Sequence, residues 1–280
     1  MEFKQIKDEE YHAHKAISSH GIIEYMKSPK KYEHKFIEGN NKATKSMSVG
    51  TYLHKALLEP NEWEAKYTML PDLDRRTKEY KEAVLKAEAE GKTGVPCDDW
   101  ILVQNMKKAV MMNQDTSAFF YDEAAKKEQS LFWNEIVDDG HMTAPYPCKA
   151  RFDLFNDEYL VDIKTVKNIN PMKVYYACRD YGYLKQMAWY NYALTKATGI
   201  KRRVLLLCVE TTAPHEVGLF EINHAVLEHE FSKIALNMPK MAYSLRNNHY
   251  PSLCKGISQL WTPAGYWEEI EANEEEQEEL

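Results

Sequence analysis

The pattern of apolar and polar positions divides the chain into a helical first part and a strand-rich centre. Ser18 and Ser19 precede Ile22, Ile23, Tyr25 and Met26, a helical apolar pattern that stops at Ser28-Pro29, which predicts a short helix with a serine cap. Residues 47–59 predict a second helix, closed by Pro60. Residues 73–92 are charged and alanine-bearing, with Gly91 near the end, and predict a largely solvated helix. Pro96-Cys97-Asp98-Asp99 opens a further helix through about Asn113. The texture then changes. Residues 129–137 are rich in β-branched and aromatic side chains and end at Asp138-Asp139-Gly140, which predicts a strand and turn. Residues 148–155 and 159–166 predict two more strands, joined through Asn156-Asp157-Glu158 as a hairpin. A helix over 183–198 ends at Gly199, and 204–209 is a continuous apolar run, as in a strand buried on both faces. Residues 216–222 predict another strand and 224–247 a long helix. This order implies an α/β (α+β) domain with a mixed central β-sheet flanked by helices. We read residues 1–267 as one domain: a helical N-terminal part to about 125, a core at about 126–222 and a C-terminal helix at about 223–247. Residues 268–280 are read as an acidic disordered tail.

A chain of 280 residues is long enough to bury a substantial core. It holds no run of 18 apolar residues, and its charged N-terminus is not backed by an apolar stretch, so neither a membrane span nor a secretory signal is expected. Five cysteines, with no CxxC pair among them, argue against a disulfide framework or a four-thiolate zinc site. Together these features predict a cytoplasmic protein. The net charge of −7 at first disfavours a polyanionic partner, but eight glutamates sit in the last thirteen residues. The rest of the chain is near neutral and carries two basic clusters, Lys27, Lys30, Lys31 and Lys35, then Lys196, Lys201, Arg202 and Arg203. A basic groove, not a basic whole, is what nucleic acid requires.

The segment richest in chemistry is Lys149-Ala150-Arg151-Phe152-Asp153-Leu154-Phe155, followed after the turn by Leu160-Val161-Asp162-Ile163-Lys164-Thr165. Alternation puts Asp162 and Lys164 on one face of their strand, with Val161 and Ile163 on the other. In the preceding strand it puts Phe152 and Leu154 together, with Asp153 opposite them. A hairpin register that sets Asp153 beside Asp162 brings two carboxylates and an ammonium to one spot. Such a set suits Mg²⁺, which binds through one or two carboxylates plus substrate phosphate and polarises the scissile ester. Lys164 would position the attacking water, offset developing negative charge or, with a lowered pKa, act as a base. Spacing alone leaves open a plainer alternative, a surface hairpin with an exposed Asp–Lys pair.

Further elements occur in a fixed order: Ser18-Ser19 before the helix ending at Ser28-Pro29, Gly50-Thr51-Tyr52-Leu53-His54-Lys55-Ala56-Leu57-Leu58-Glu59-Pro60, Glu128 leading a strand, the Asp153 and Asp162-Ile163-Lys164 pair of strands, and Gln186-Met187-Ala188-Trp189-Tyr190. Over about 17–209 this ordered set resembles the PD-(D/E)xK nuclease superfamily. Within it, the chain is most similar to the phage-type RecE exonucleases (exodeoxyribonuclease VIII), and more distantly to lambda exonuclease and the RecB nuclease domain. The resemblance implies a restriction-endonuclease-like core. It makes Asp153, Asp162 and the Ile163 carbonyl metal ligands, adds His54 as a ligand from its helix, and makes Lys164 the catalytic lysine. Glu128 either orients a water or binds a second metal. Gln186 and Tyr190, at i and i+4, border the DNA strand, and Ser18, Lys30, Lys31, Arg151 and Thr165 are further DNA-binding candidates. Tyr175, Tyr176, Tyr181 and Tyr183 either stack on bases or pack internally. Mg²⁺ is the implied cofactor, with Mn²⁺ able to substitute. No iron–sulfur cluster is expected, because only Cys254 lies near the C-terminus where relatives with a cluster carry a trio. The implied activity is 5′-to-3′ hydrolysis of double-stranded DNA from its ends to 5′-mononucleotides. The 3′ tails left behind would go to a RecT-like annealing protein, and the enzyme would be a homo-oligomeric ring. The alternatives are an endonuclease, an exonuclease of other polarity, a catalytically silent DNA-binding protein, or a metal-dependent hydrolase of another substrate.

Overall fold

The computed structural model describes residues 1–40, 45–254 and 256–257; the acidic tail expected at 268–280 lies outside them. In chain order the elements are β1 (Glu2–Lys4), α1 (Asp8–Ala13), α2 (Ser19–Lys27), α3 (Pro29–Tyr32), a π-helical turn (Glu33–Ile37), α4 (Lys45–Leu58), α5 (Pro60–Lys66), β2 (Tyr67–Met69), α6 (Lys78–Ala89), β3 (Thr93–Val95), α7 (Cys97–Met112), α8 (Gln114–Tyr121), β4 (Lys126–Asp138), β5 (Thr143–Phe155), β6 (Tyr159–Val166), α9 (Pro171–Tyr181), α10 (Tyr183–Thr198), β7 (Arg203–Glu210), β8 (Val217–Glu221) and α11 (His224–Asn247). A six-stranded sheet runs β1-β4-β5-β6-β7-β8, and β2 and β3 form a small parallel pair apart from it. Within the large sheet β6 and β7 are parallel and the other neighbours antiparallel, so it is mixed, as expected.

Both faces of the sheet are covered. On one side Phe152, Leu160, Val204, Leu206 and Cys208 pack under α2, α10 and α11 through Ile22, Tyr25, Met187, Trp189, Leu227 and Met241. On the other, Leu154, Val161, Ile163, Leu205 and Leu207 meet α4, α5 and α7 through Val49, Leu53, Leu57, Trp63, Val103 and Met106. β7 therefore feeds both cores, which is why its sequence is apolar without alternation. Each side chain of this size removed from water contributes about 1.5–3 kcal/mol, so the two layers hold the sheet, and with it any site on β5 and β6, in a fixed frame.

Several expectations are corrected. The solvated helix is shorter than 73–92, because Thr77 caps it and its Oγ accepts the Tyr80 N–H. The flanking residues form β2 and β3. Pro60 closes α4 but also opens α5 at its first turn, where a missing N–H costs nothing. Both β4 and β5 are longer than predicted. Phe152 and Leu154 do not share a face: Phe152 packs in the first core and Leu154 in the second. The change of face coincides with Glu128, which lies on β4 between the Gln129–Phe152 and Lys127–Leu154 pairs and takes a left-handed φ of 50°. That conformation breaks the regular pleat.

Candidate metal centre

β5 and β6 pair only at Leu154–Val161 and Phe155–Leu160. Beyond these pairs the strands part, and the backbone of Ile163 turns to side chains instead. Its N–H donates to Asp153 Oδ2 at 2.8 Å, and its carbonyl accepts from His54 Nε2 at 2.9 Å. Asp153 comes from β5 and His54 from α4, which the second core presses onto the sheet. Since Nε2 donates, His54 Nδ1 carries the lone pair, and it lies 3.5 Å from Asp153 Oδ2. Glu128 completes the group. One potential ligand atom from each of His54, Glu128 and Asp153 lies within 4.8 Å of the other two.

Glu128 is held by Arg151, whose Nε is 2.7 Å from Glu128 Oε2. The same guanidinium pairs with the Asp8 carboxylate and donates to the Ile6 carbonyl at 3.3 Å. Asp8 in turn sits 2.9 Å from Lys55 Nζ. Arg151 is thus an internal support for Glu128, with only 12% of its side chain exposed. Lys149 similarly clamps α1, donating to the carbonyls of Tyr11 at 2.6 Å and His14 at 2.8 Å.

Asp162 and Lys164 form the second half of the site. Asp162 is buried, with Oδ2 2.6 Å from Lys164 Nζ, and its Oδ1 accepts from Gln186 Nε2 at 3.4 Å. Gln186 also donates to the Tyr190 hydroxyl at 3.0 Å. Both residues of the Gln-x-x-x-Tyr element are buried, and Tyr190 packs edge-on against Phe152 at 5.4 Å. Gln186 thus reaches Asp162 from the core side, and Tyr190 connects to it through Gln186. Thr165 lies against α4, where a Cβ on Gly50 would stand 3.7 Å from its Oγ1.

The electrostatics follow from this crowding. Burial and the Asp162 charge push Asp153 up to about 8, and burial and Asp153 push Glu128 up to about 7. Burial and Lys164 depress His54, so its imidazole is neutral at neutral pH. Burial alone would also lower Lys164, but Asp162 and Asp153 outweigh it and raise its pKa. Lys164 is therefore a fixed cation in this arrangement, suited to donating a hydrogen bond or offsetting charge rather than accepting a proton.

The other expected residues lie elsewhere. Ser18 caps α2, its Oγ accepting the Gly21 N–H at 3.1 Å. Lys30 pairs with Glu33 at 2.7 Å, and Lys30 and Lys31 are exposed on α3. Of the cysteines, Cys148, Cys178 and Cys208 are buried and Cys254 is exposed. The supports Asp8 and Lys55 were not foreseen, nor was His20. His20 is exposed on the first turn of α2, yet the atoms packed around it and the Lys164 charge pull its pKa down to about 4. Its only sequence signal was its place just after the serine pair.

The donor set fits a divalent cation. His54 Nδ1 offers a lone pair toward Asp153 Oδ2, and 3.5 Å is close to the separation of about 3 Å between adjacent ligands of an octahedral Mg²⁺. Two carboxyls crowded in a buried pocket resist ionising on their own, and a cation would offset the charge they develop on losing their protons. His54, Glu128 and Asp153 would hold it, while the Ile163 carbonyl, also expected as a ligand, is taken up by His54 Nε2. Among solved structures, the chain is similar to one described as "Putative exonuclease" from Eubacterium rectale, with a TM-score of 0.61 and 13% identity over 92% of this chain and 97% of that one. Another, SSO0001, aligns over 74% of this chain and 98% of its own at 15% identity, with a TM-score of only 0.29. No curated protein matches the sequence. Residues 18–261 match the family described as PDDEXK-like domain of unknown function (DUF3799), and the chain belongs to that family.

Proposed function

We propose that the protein is a divalent-metal-dependent exonuclease of double-stranded DNA, similar to the RecE group. The observation that supports it most is the convergence of His54, Glu128 and Asp153 beside the Asp162–Lys164 pair, where the two strands part. Mg²⁺ or Mn²⁺ held there supplies Lewis-acid polarisation of the phosphodiester. The chain's own groups do the rest. Lys164, kept cationic by its carboxylate neighbours, donates toward the attacking water or the developing negative charge. Gln186 fixes the Asp162 carboxylate, and Arg151 fixes Glu128. Asp162, turned to Lys164 and Gln186, either joins the ligand set on metal binding or holds the lysine in line.

The finer reading is 5′-to-3′ degradation to 5′-mononucleotides, leaving 3′ tails for a RecT-like annealing partner, by a homo-oligomeric ring. It rests on the resemblance of the ordered motifs. The test uses linear duplex labelled at one 5′ or one 3′ end, with closed circular DNA as a control. Early release of the 5′ label as mononucleotide, sparing of circles and an activity loss of about 10²–10³-fold in Lys164→Ala are the expected results. Linear ends left intact by the wild type in both Mg²⁺ and Mn²⁺ would refute the nuclease reading. Cut circles would replace exonuclease by endonuclease. A stable monomer in sedimentation at micromolar concentration would remove the ring.

A further inference from the structure

The catalytic-lysine side of the site continues outward as aromatic surface. Lys164 Nζ stands over the Tyr183 ring at 4.8 Å from its centroid, and the Tyr183 and Tyr181 rings are 5.6 Å apart, tilted by 31°. Tyr183 is partly buried, whereas Tyr181 is 66% exposed. Two ring steps therefore lead from the buried ammonium to solvent. Such an exposed tyrosine, with its face adjoining a second ring, has no core to fill.

The arrangement is rigid for a reason. Gly182 between the two tyrosines ends α9 with a left-handed φ of 81°, which aims both rings to one side. A Cβ there would come within 2.9 Å of Ile23 Cγ2, so α2 is seated directly on this turn. From the same helix Lys27 donates to the carbonyl of Asp180, the residue before Tyr181, at 2.8 Å, which leaves an ammonium with further N–H groups at this turn. An aromatic face next to the metal centre, with a cation on the turn that carries it, suits the repeat of base and phosphate along one nucleic-acid strand.

We propose that Tyr181, backed by Tyr183, stacks on a nucleobase of the DNA strand whose phosphate lies at the metal centre, while Lys27 meets a neighbouring phosphate. This rests on the nuclease reading and adds to it a contact with unpaired bases: a base can lie on the Tyr181 face only where it has left its partner. The shelf thus selects a frayed or single-stranded end over an intact duplex interior.

The test measures binding of a fluorescent 12-nucleotide oligothymidylate in Ca²⁺, with the full chain, and checks that the probe stays intact. Matched probes carry abasic sites at the three terminal nucleotides of one end or the other. Tyr181→Ala is expected to raise Kd for the intact probe about tenfold. Against one of the two abasic probes the difference from wild type should vanish, and Tyr181→Phe should keep the affinity within about twofold. The exposed position makes loss of folding an unconvincing cause, and thermal unfolding of each variant checks it. Wild-type affinity of Tyr181→Ala for the intact probe would overturn the proposal, as would an equal loss on all three probes. If the wild type leaves labelled duplex uncut in Mg²⁺ and Mn²⁺ but still prefers intact over abasic probe, the nuclease reading fails and the stacking shelf stands.

Discussion

Metal affinity should depend steeply on pH, and the structure sets the window. Two of the candidate ligands are carboxyls raised by burial and by a neighbouring carboxylate, Glu128 by Asp153 to about 7 and Asp153 by Asp162 to about 8. Each must lose its proton to bind a cation. Burial and Lys164 hold His54 below the usual imidazole range, so the carboxyls dominate the proton release. At pH 6 both carboxyls are protonated, so binding must displace nearly two protons, and near pH 7.5 about one. Relative to pH 9, affinity at pH 6 should be lower by about a thousandfold, roughly 4 kcal/mol at 1.36 kcal/mol for each unit. Titration calorimetry with Mn²⁺ at four pH values, in pairs of buffers with different ionisation enthalpies, measures both the slope and the proton count. A flat affinity from pH 6 to pH 9, or release of less than about half a proton at pH 6, would refute the assignment of these carboxyls as ligands.

Other consequences follow from the same contacts. Because Asp153 binds its proton more tightly folded than unfolded, metal-free protein should lose stability as pH rises from about 4 to about 8. Asp153→Asn, which can still accept the Ile163 N–H, should raise the metal-free Tm at pH 8 but not at pH 4, and abolish the Tm gain from added Mn²⁺. An unchanged pH profile of Tm would count against the buried charge. Asp8→Asn should weaken Mn²⁺ binding about tenfold by loosening Arg151 and hence Glu128, with Asp8→Glu restoring part of it. Equal Mn²⁺ affinity in Asp8→Asn would make Asp8 a purely structural residue.

How far the sequence revealed this protein depended on how local each feature is. β6, α10 and α11 have the bounds their patterns predicted. The Asn156 turn that fixes the hairpin is also local, since Asn156 Oδ1 accepts the N–H groups of Glu158 and Tyr159. α9 was missed although Asn170 caps it and Pro171 opens it, because its tyrosines face solvent and give no apolar stripe. β1 and α1 are too short to carry a period. Within the site, His54 lies beside Asp153 and Lys164 beside Asp162, all four on the ordered motifs. The Arg151–Asp8 contact, between residues 143 positions apart, has no local signal. Nor has the φ of 50° at Glu128, with which the change of face before Leu154 coincides.

That left-handed residue and the parted strands belong to one construction. Continuing the β5–β6 ladder would pair the Ile163 N–H and carbonyl with backbone and leave no room for side chains between the strands. Opening the ladder strips both groups of a strand partner, and an unmet buried polar group costs about 1–3 kcal/mol. Asp153 and His54 meet that cost by bonding to Ile163 themselves. The strain at Glu128, of order 1–3 kcal/mol, is offset in turn by the Arg151 ion pair. The candidate ligands are therefore also what keeps the gap open. A change that removes both hydrogen bonds to Ile163, such as His54→Ala with Asp153→Ala, should allow β5 and β6 to close toward a regular ladder. The Ile163 amide would then exchange no faster than its β6 neighbours in hydrogen exchange. Faster exchange confined to Ile163 would mean instead that the strands stay parted without their ligands, and that α4 and the two cores, not the site, hold the gap.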